Sequence, residues 1–507
     1  VSAGTTPPAQ RERPLANRLL TGALWSVAIR WVSKVLGFIN LAVCARLLTP
    51  ADYGVMNMAM VMAGLFTVVA NFGIDAALLR TQHCTKEDYD TAWSLKVLQG
   101  LLLATLMAAV APFAEAIYGD ARITPLVLCI AAGTAVNGLA NIYVIDFQKR
   151  LDFRTDFILN IIPRIIAVGI AIALAYWLRN YWALILSICS TYITWTALSY
   201  IITPRRPAWS LQKASSFFGF SVWYFMQGLA DYLYGQSDRL MLGGRVGATD
   251  LGVYSIARET AALPSTEITL PLGRALLPTL SRLNHDHERF AAAVRKTLGS
   301  TLAIIAPICI TLALTAPEVI RLLLGPQWDA AVAFVQVFAI AGVFGAVRVV
   351  TSIALTSLGL IRLTAMAAFV QAAIFFVLLL PAYSIGGLPA VARLILSLSA
   401  VMCGVQLTLL RHVRIVPRVA DLSYMLRPLS AGAAMAATIS AVAWLAPPMP
   451  DILSLFFKGA AGSVIYLVST VVMMRTFSGP DSHERHLINV LMPHSWQTRL
   501  PGWAIGR

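Results

Sequence analysis

The sequence predicts an all-α polytopic membrane protein of about fourteen transmembrane helices, arranged as two parallel six-helix lobes followed by two further helices. Three observations carry that expectation. Of 507 residues, 58% are hydrophobic and 12% charged, whereas water-soluble domains carry about 25% charged residues. Apolar runs of about 20 residues, long enough to cross a bilayer as a helix, recur along the whole chain. The chain is also duplicated: Arg46-Leu-Leu-Thr-Pro-Ala-Asp52-Tyr-Gly54-Val55 is echoed 198 residues later by Gly244-Arg-Val-Gly-Ala-Thr-Asp250-Leu-Gly252-Val253. At that offset Trp25 matches Trp223, Gly37 matches Gly235, Asn40 faces Asp238, and Ala59, Ala63 and Leu65 match Ala257, Ala261 and Leu263, without a gap.

The expected spans lie near 20–44, 53–79, 90–112, 124–147, 155–177, 181–202, 215–236, 251–276, 293–316, 331–357, 363–381, 386–410, 425–446 and 452–474. One repeat offset holds six of them. An even number of crossings returns the second copy in the orientation of the first, so the halves are parallel repeats about an axis along the membrane normal. A weaker echo pairs Ile117-Tyr118-Gly119 with Leu323-Leu324-Gly325 at a slightly larger offset. The expected organisation is a disordered N-terminal tail (1–18) containing Pro7, Pro8 and Pro14, an N-lobe (19–204), a C-lobe (205–412), two extra helices (413–475) and a C-terminal tail (476–507). The first apolar run is too long and too charged for a cleaved signal peptide and is expected to remain as the first span.

Lys and Arg test the topology, because cytoplasmic loops hold their excess. With a cytoplasmic N-terminus the inner side receives about 25 of them, and the outer loops only Arg46, Arg122, Arg179, Arg239, Arg245 and Arg321. Both termini are therefore expected in the cytoplasm. The net charge of +15 is accounted for by orientation and anionic lipid headgroups, which excludes a nucleic-acid partner. Outer loops of roughly 20 residues or fewer exclude a folded external domain. Six cysteines, Cys44, Cys84, Cys129, Cys189, Cys309 and Cys403, lie in apolar stretches without paired spacing, so they read as packing residues and neither disulfides nor a metal site is expected. No Walker A, His-Glu-x-x-His or Gly-x-Ser-x-Gly pattern occurs, so neither an enzyme nor a cofactor is expected.

The charges inside spans carry the functional expectation. Arg30 and Lys34 lie four residues apart near the middle of the first span and share a face with Gly37. A central cation costs roughly 2.5 to 3.5 kcal/mol on insertion scales, which favours a polar interior. Arg164 and Arg348 add cations at interior depth, and Arg258 joins them with Glu259 beside it. Together they suggest a basic cavity between the halves, suited to an anionic cargo such as a diphosphate headgroup. The competing account pairs these cations with Asp75, Asp146, Asp231 or Glu267 as helix-helix glue, or lets them snorkel to an interface. Asp231, Glu259 and Glu267 are candidates for ion coupling, since a deep carboxylate can exchange protons. Asp75, Asp146 and Asp238 read as solvated helix ends, and Lys96, Arg393 and Lys458 as snorkelling side chains. Pro163, Pro264, Pro271 and Pro307 fall inside spans, as bends or hinges.

The motif from Arg46 through Asp52 to Gly54, with Phe72-Gly73-Ile74-Asp75 after it, resembles the start of the Wzx-type polysaccharide transporters of the multidrug/oligosaccharidyl-lipid/polysaccharide (MOP) exporter superfamily. Leu276-Leu277-Pro278-Thr-Leu-Ser281-Arg282, expected on an inner loop, and Leu323-Leu324-Gly325-Pro-Gln-Trp328, expected outside, agree. The resemblance implies two six-helix lobes in a V shape with two extra helices. It implies translocation of an undecaprenyl-diphosphate-linked oligosaccharide across the bacterial inner membrane for exopolysaccharide, capsule or O-antigen, with membrane lipids around it and polymerase and co-polymerase proteins as partners. Ser33-Lys34-Val35-Leu36-Gly37 also resembles the first helix of the lipid II flippases, but Asn40 and Leu41 stand where those proteins have an Arg-Asp pair. A drug exporter of the same superfamily predicts a cavity dominated by carboxylates. A membrane polymerase or ligase needs a substantial outer loop. An assembly scaffold predicts tolerance of charge reversal at Lys34.

Overall fold

The computed structural model describes residues 15–69, 74–80, 84–150, 152–214, 222–413, 415, 423–445, 447 and 449–477. The expected tails, in residues 1–14 and 478–507, lie outside them. Among the described residues all regular structure is helical. Nine helices among the described residues are long and apolar enough to span a bilayer, or ten when the pair Ile123–Gly138 and Ile142–Lys149, bent by 66°, counts as one span. Each of the fourteen expected segments coincides with helix over its described residues, in places interrupted by such a break. Contacts divide the chain into two units, Val1–Ser221 and Val222–Arg507.

The first unit contains α1 (Leu15–Leu47), α2 (Pro50–Val69), α3 (Ile74–Arg80), α4 (Lys86–Tyr118), α5 (Ile123–Gly138), a 3-10 turn (Ile142–Val144), α6 (Ile145–Lys149), α7 (Phe153–Leu178) and α8 (Trp182–Ile202). α1 packs on α7, α7 on α8, α8 on α5, and α5 on both α4 and α2. In hydrocarbon such packing rests on close contact, because lipid tails are as apolar as leucine. Gly100 of α4 and Gly138 of α5 meet backbone to backbone, and a Cβ on Gly100 would lie 2.9 Å from the Gly138 Cα. All six cysteines are free, four of them buried.

The duplicated motif proves to be a helix start. Pro50 opens α2, where its missing N–H costs nothing and its fixed φ suits a helix. Thr49 and Asp52 form a capping box: the Asp52 Oδ2 accepts from the Thr49 N–H at 2.9 Å and hydroxyl at 2.6 Å, and the Thr49 Oγ1 accepts from the Asp52 N–H at 3.3 Å. The other carboxylate oxygen accepts the Tyr181 N–H at 3.0 Å, tying the entrance of α8 to that of α2. Asp52 and Gly54 are buried, while Arg46 is exposed at the end of α1. Asp52→Ala is expected to cost about 1 to 3 kcal/mol, read as a lower thermal midpoint of the purified protein, because it strands two backbone donors together. Asp250, the repeat counterpart, sits in the first turn of α10 but is exposed.

The second unit contains α9 (Val222–Val246), α10 (Ala248–Leu283), α11 (His287–Leu314), α12 (Ala316–Leu323), a 3-10 segment (Pro326–Ala331), α13 (Val332–Ser357), α14 (Ile361–His412), α15 (Ser423–Leu445) and α16 (Asp451–Phe477). α13 is the hub, packing on α10, α11 and α14, while α9 lies on α14 and α15 joins α11 to α16. Helices α7, α10 and α11 continue without interruption past their internal prolines. The break falls instead in α14, at Gly386 (φ −154°, ψ 24°) and Gly387 (φ 63°, ψ −156°), the second being a conformation that favours glycine.

Several expectations are corrected. Leu276 to Arg282 is not a loop: α10 continues to Leu283, and Pro278 is an exposed residue inside it. Arg239 and Arg245 belong to α9, not to an outer loop, and Arg239 is buried. Lys96 does not snorkel freely but pairs with Asp75 at 2.9 Å. Asp146 is largely buried, accepting from the Tyr89 hydroxyl and, at 3.2 Å, from Arg205. Lys458 is no snorkelling side chain: with Ser454 it binds the buried Glu318, fastening α16 to α12. The last three corrections share one physical cause, an ion-pair partner far away in sequence.

Candidate functional site

The expected cations fall into two groups. In the first unit, Arg164 of α7 is exposed and donates from Nη1 to the Ser33 carbonyl of α1 at 3.4 Å, beside the exposed Lys34; Arg30, one turn earlier, is half-buried. α1 and α7 also meet through Trp25 and Phe157, edge to face with centroids 5.1 Å apart. Arg164 thus meets α1 within the stretch that carries Arg30 and Lys34, and Gly37 is exposed on the same stretch. No described carboxylate forms a salt bridge with Arg30 or Arg164.

In the second unit, Arg258 of α10 and Arg348 of α13 line a single cavity of about 540 Å³. That is within the range of about 300 to 1,000 Å³ common for ligand pockets. α9, α10, α13 and both halves of α14 build it. Gly235 and Gly345 face open space, while Gly342 lets α13 approach Ser265 of α10 closely. Its apolar lining includes Phe338, Ile353 and Ile395; its polar lining includes Tyr234, Thr266, Gln371 and Gln406. None of the lining residues is a carboxylate.

The two guanidinium groups are held differently. Arg258 donates from Nη1 to Asp238 of α9, an ion pair with side-chain exposures of 18% and 0%. The same Asp238 oxygen accepts the Tyr254 hydroxyl at 2.6 Å, and the other accepts the Arg239 N–H at 2.9 Å. This overturns the reading of Asp238 as a solvated helix end: α10 folds back against α9, so Tyr254 and Arg258, a turn apart, both reach it. Arg258 thus contributes oriented N–H donors with its charge largely compensated. Arg348 has no hydrogen-bonding side-chain partner among the described residues, so it gives the cavity its uncompensated positive charge.

Of the coupling candidates, Glu259 is exposed and Glu267 half-buried on α10, neither lining the cavity, and Asp231 lies outside the residues whose side chains are described. No group of three or more potential metal ligands occurs among the described residues. The sequence reading missed Asp238, Tyr254, Gln371 and Gln406. A lone amide in the apolar runs 363–381 and 386–410 was the available signal for the last two.

Comparison with known proteins agrees with this construction. The succinoglycan biosynthesis transport protein ExoT of Rhizobium meliloti is 25% identical over 317 residues, covering 60% of this chain and 62% of that protein. The teichuronic acid biosynthesis protein TuaB of Bacillus subtilis is 21% identical over 65% of this chain and 69% of its own length. The lipopolysaccharide biosynthesis protein WzxC of Escherichia coli is 20% identical over 66% and 68%. Thus the chain spans a little under two thirds of the length of the succinoglycan protein. Among solved structures, the lipid II flippase MurJ in an inward closed conformation superposes with a TM-score of 0.72 at 14% identity, over 89% of this chain and 99% of that one. An inward-facing multidrug resistance MATE family transporter of the MOP superfamily gives 0.56 at 14% identity, over 76% and 94%. These likenesses establish a fold shared with transporters. A family model described as polysaccharide biosynthesis protein matches residues 43–333, more than half of a multi-pass membrane chain, and the chain belongs to that family.

Proposed function

We propose that this protein is a flippase that moves an undecaprenyl-diphosphate-linked oligosaccharide across the bacterial inner membrane by alternating access, for exopolysaccharide, capsule or O-antigen synthesis. The observation that carries the proposal is the cavity of the second unit, which holds two guanidinium groups and no carboxylate lining in a chain of the polysaccharide biosynthesis family. Such a wall favours an anion and disfavours the cationic cargo of a drug exporter. Arg348 and Arg258, with Arg30, Lys34 and Arg164 of the first unit, are the proposed contacts for the headgroup phosphates. The proposed topology is fourteen crossings with both termini in the cytoplasm, as lobes 19–204 and 205–412 and extra helices 413–475. Glu259, Glu267 and Asp231 remain the proposed coupling carboxylates, and polymerase and co-polymerase proteins the proposed partners.

A membrane polymerase or ligase is disfavoured by the connections expected outside, which hold nothing larger than α12 and its neighbouring 3-10 segment among the described residues. Deleting the gene is expected to accumulate lipid-linked repeat units in the inner leaflet. Wild type should clear them, and Lys34→Glu should not. Normal clearance in the deletion strain, measured by leaflet-specific labelling of the glycan, would rule out transport of this cargo.

A further inference from the structure

The polar wall of the cavity is not explained by phosphate binding. A phosphate oxygen only accepts hydrogen bonds, so a site made for it alone needs donors. This wall instead carries groups that both donate and accept. Gln371, on the first half of α14, is 2% exposed and has no hydrogen-bond partner among the described residues, yet it lines the cavity. Its side-chain amide therefore keeps both donor and acceptor capacity for whatever occupies the cavity. Gln406, on the second half of α14 and 4% exposed, accepts the Thr351 hydroxyl at 2.5 Å on its amide oxygen, which leaves its second lone pair and its N–H groups without a described partner. Ser352 and Ser399 add hydroxyls with no described side-chain partner, on α13 and on the second half of α14. Tyr234 contributes an aromatic face. The break at Gly386 and Gly387 separates Gln371 from Ser399 and Gln406 along the chain, and the antiparallel return brings both halves to one cavity.

We propose that this cavity is a saccharide subsite, in which Gln371, Gln406, Ser352 and Ser399 hydrogen-bond the hydroxyl or acetamido groups of a sugar adjoining the headgroup anion held by Arg348. A sugar hydroxyl donates and accepts at once, which matches mixed amide and hydroxyl walls and not a wall of cations. The Asp238 and Tyr254 pair keeps Arg258 in place as a directed donor lining the same cavity. Selectivity for the glycan, as distinct from the lipid diphosphate, then resides in α13 and α14. The inference rests on the transport reading above.

The test uses the full-length protein in lipid nanodiscs and native mass spectrometry with two competing probes. One is undecaprenyl diphosphate without sugar. The other is lipid-linked glycan extracted from a strain lacking this protein. Wild type is expected to prefer the glycan-bearing lipid. Gln371→Met, which keeps volume but removes the amide, should lower that preference about tenfold while leaving undecaprenyl diphosphate binding unchanged. Ser352→Ala with Ser399→Ala should act in the same direction, and serves if the first substitution fails to fold. Arg348→Gln should weaken both lipids together. An unchanged preference in the amide and serine variants, or equal loss for both lipids, overturns the saccharide subsite and leaves the transport reading standing. Wild-type protein that retains neither lipid overturns the transport reading, and the subsite with it.

Discussion

Arg348→Glu is expected to abolish export of the polymer. The wild-type guanidinium gives the cavity its uncompensated positive charge, and Arg258, which also lines the cavity, is already committed to Asp238. Reversing the charge places a carboxylate where the cargo anion would bind. Removing one partner of a desolvated charged contact costs about 2 to 5 kcal/mol, and like charges add repulsion to that loss. We therefore expect surface polymer to fall by a factor of about 30 or more, with lipid-linked repeat units building up on the cytoplasmic side. Arg348→Lys keeps the charge but loses the planar fork, and should retain partial export. Arg289→Glu is the control, since that side chain is 79% exposed and engages the neighbouring Asp286. Unaltered export by the Arg348→Glu protein would place the cavity off the transport route.

The largest loss of stability is expected from Asp238→Ala. This carboxylate is fully buried and serves three donors: the Tyr254 hydroxyl, an Arg258 guanidinium nitrogen and the Arg239 N–H. Its removal leaves a guanidinium of 18% exposure without its counter-ion. Arg239 lies next to it, 7% exposed, its Nε already buried without a partner among the described residues. Breaking such a pair costs about 3 to 5 kcal/mol, chiefly through the charge left behind. The purified protein should unfold several degrees lower in scans at one fixed rate, with Asp238→Asn intermediate because an acceptor remains. The double change Asp238→Leu with Arg258→Met should recover part of the loss, since the Arg258 charge leaves with its counter-ion while the buried Arg239 and the Tyr254 hydroxyl still lose Asp238. A midpoint unmoved by Asp238→Ala would refute the assignment of a desolvated ion pair here.

How far the site was legible differs from residue to residue. Arg258 and Arg348 stand out in the sequence because a charge inside an apolar run needs a reason. That they face one cavity depends on α10 and α13 packing together, which no spacing reveals. Asp238 was misread for the same reason: near the end of an apparent span it looks solvated, and only the return of α10 along α9 buries it. Lys458 and Glu318 lie 140 residues apart, so neither announces the other. The duplicated motif was recognised as a pattern, but its physical task, capping α2 and holding the Tyr181 amide, became visible only with the helix starts in place.

The amino-acid sequence alone determined that this is a helical membrane protein and that its family is that of polysaccharide biosynthesis proteins. Those properties are written in composition, in apolar runs and in local motifs, where bilayer thickness and helix geometry act on neighbours in the chain. Tertiary structure alone decided which buried charges are cancelled and which remain available. Coulomb energy and hydrogen bonding in a low-dielectric interior depend on a few ångströms between helices remote in sequence, and packing sets those distances.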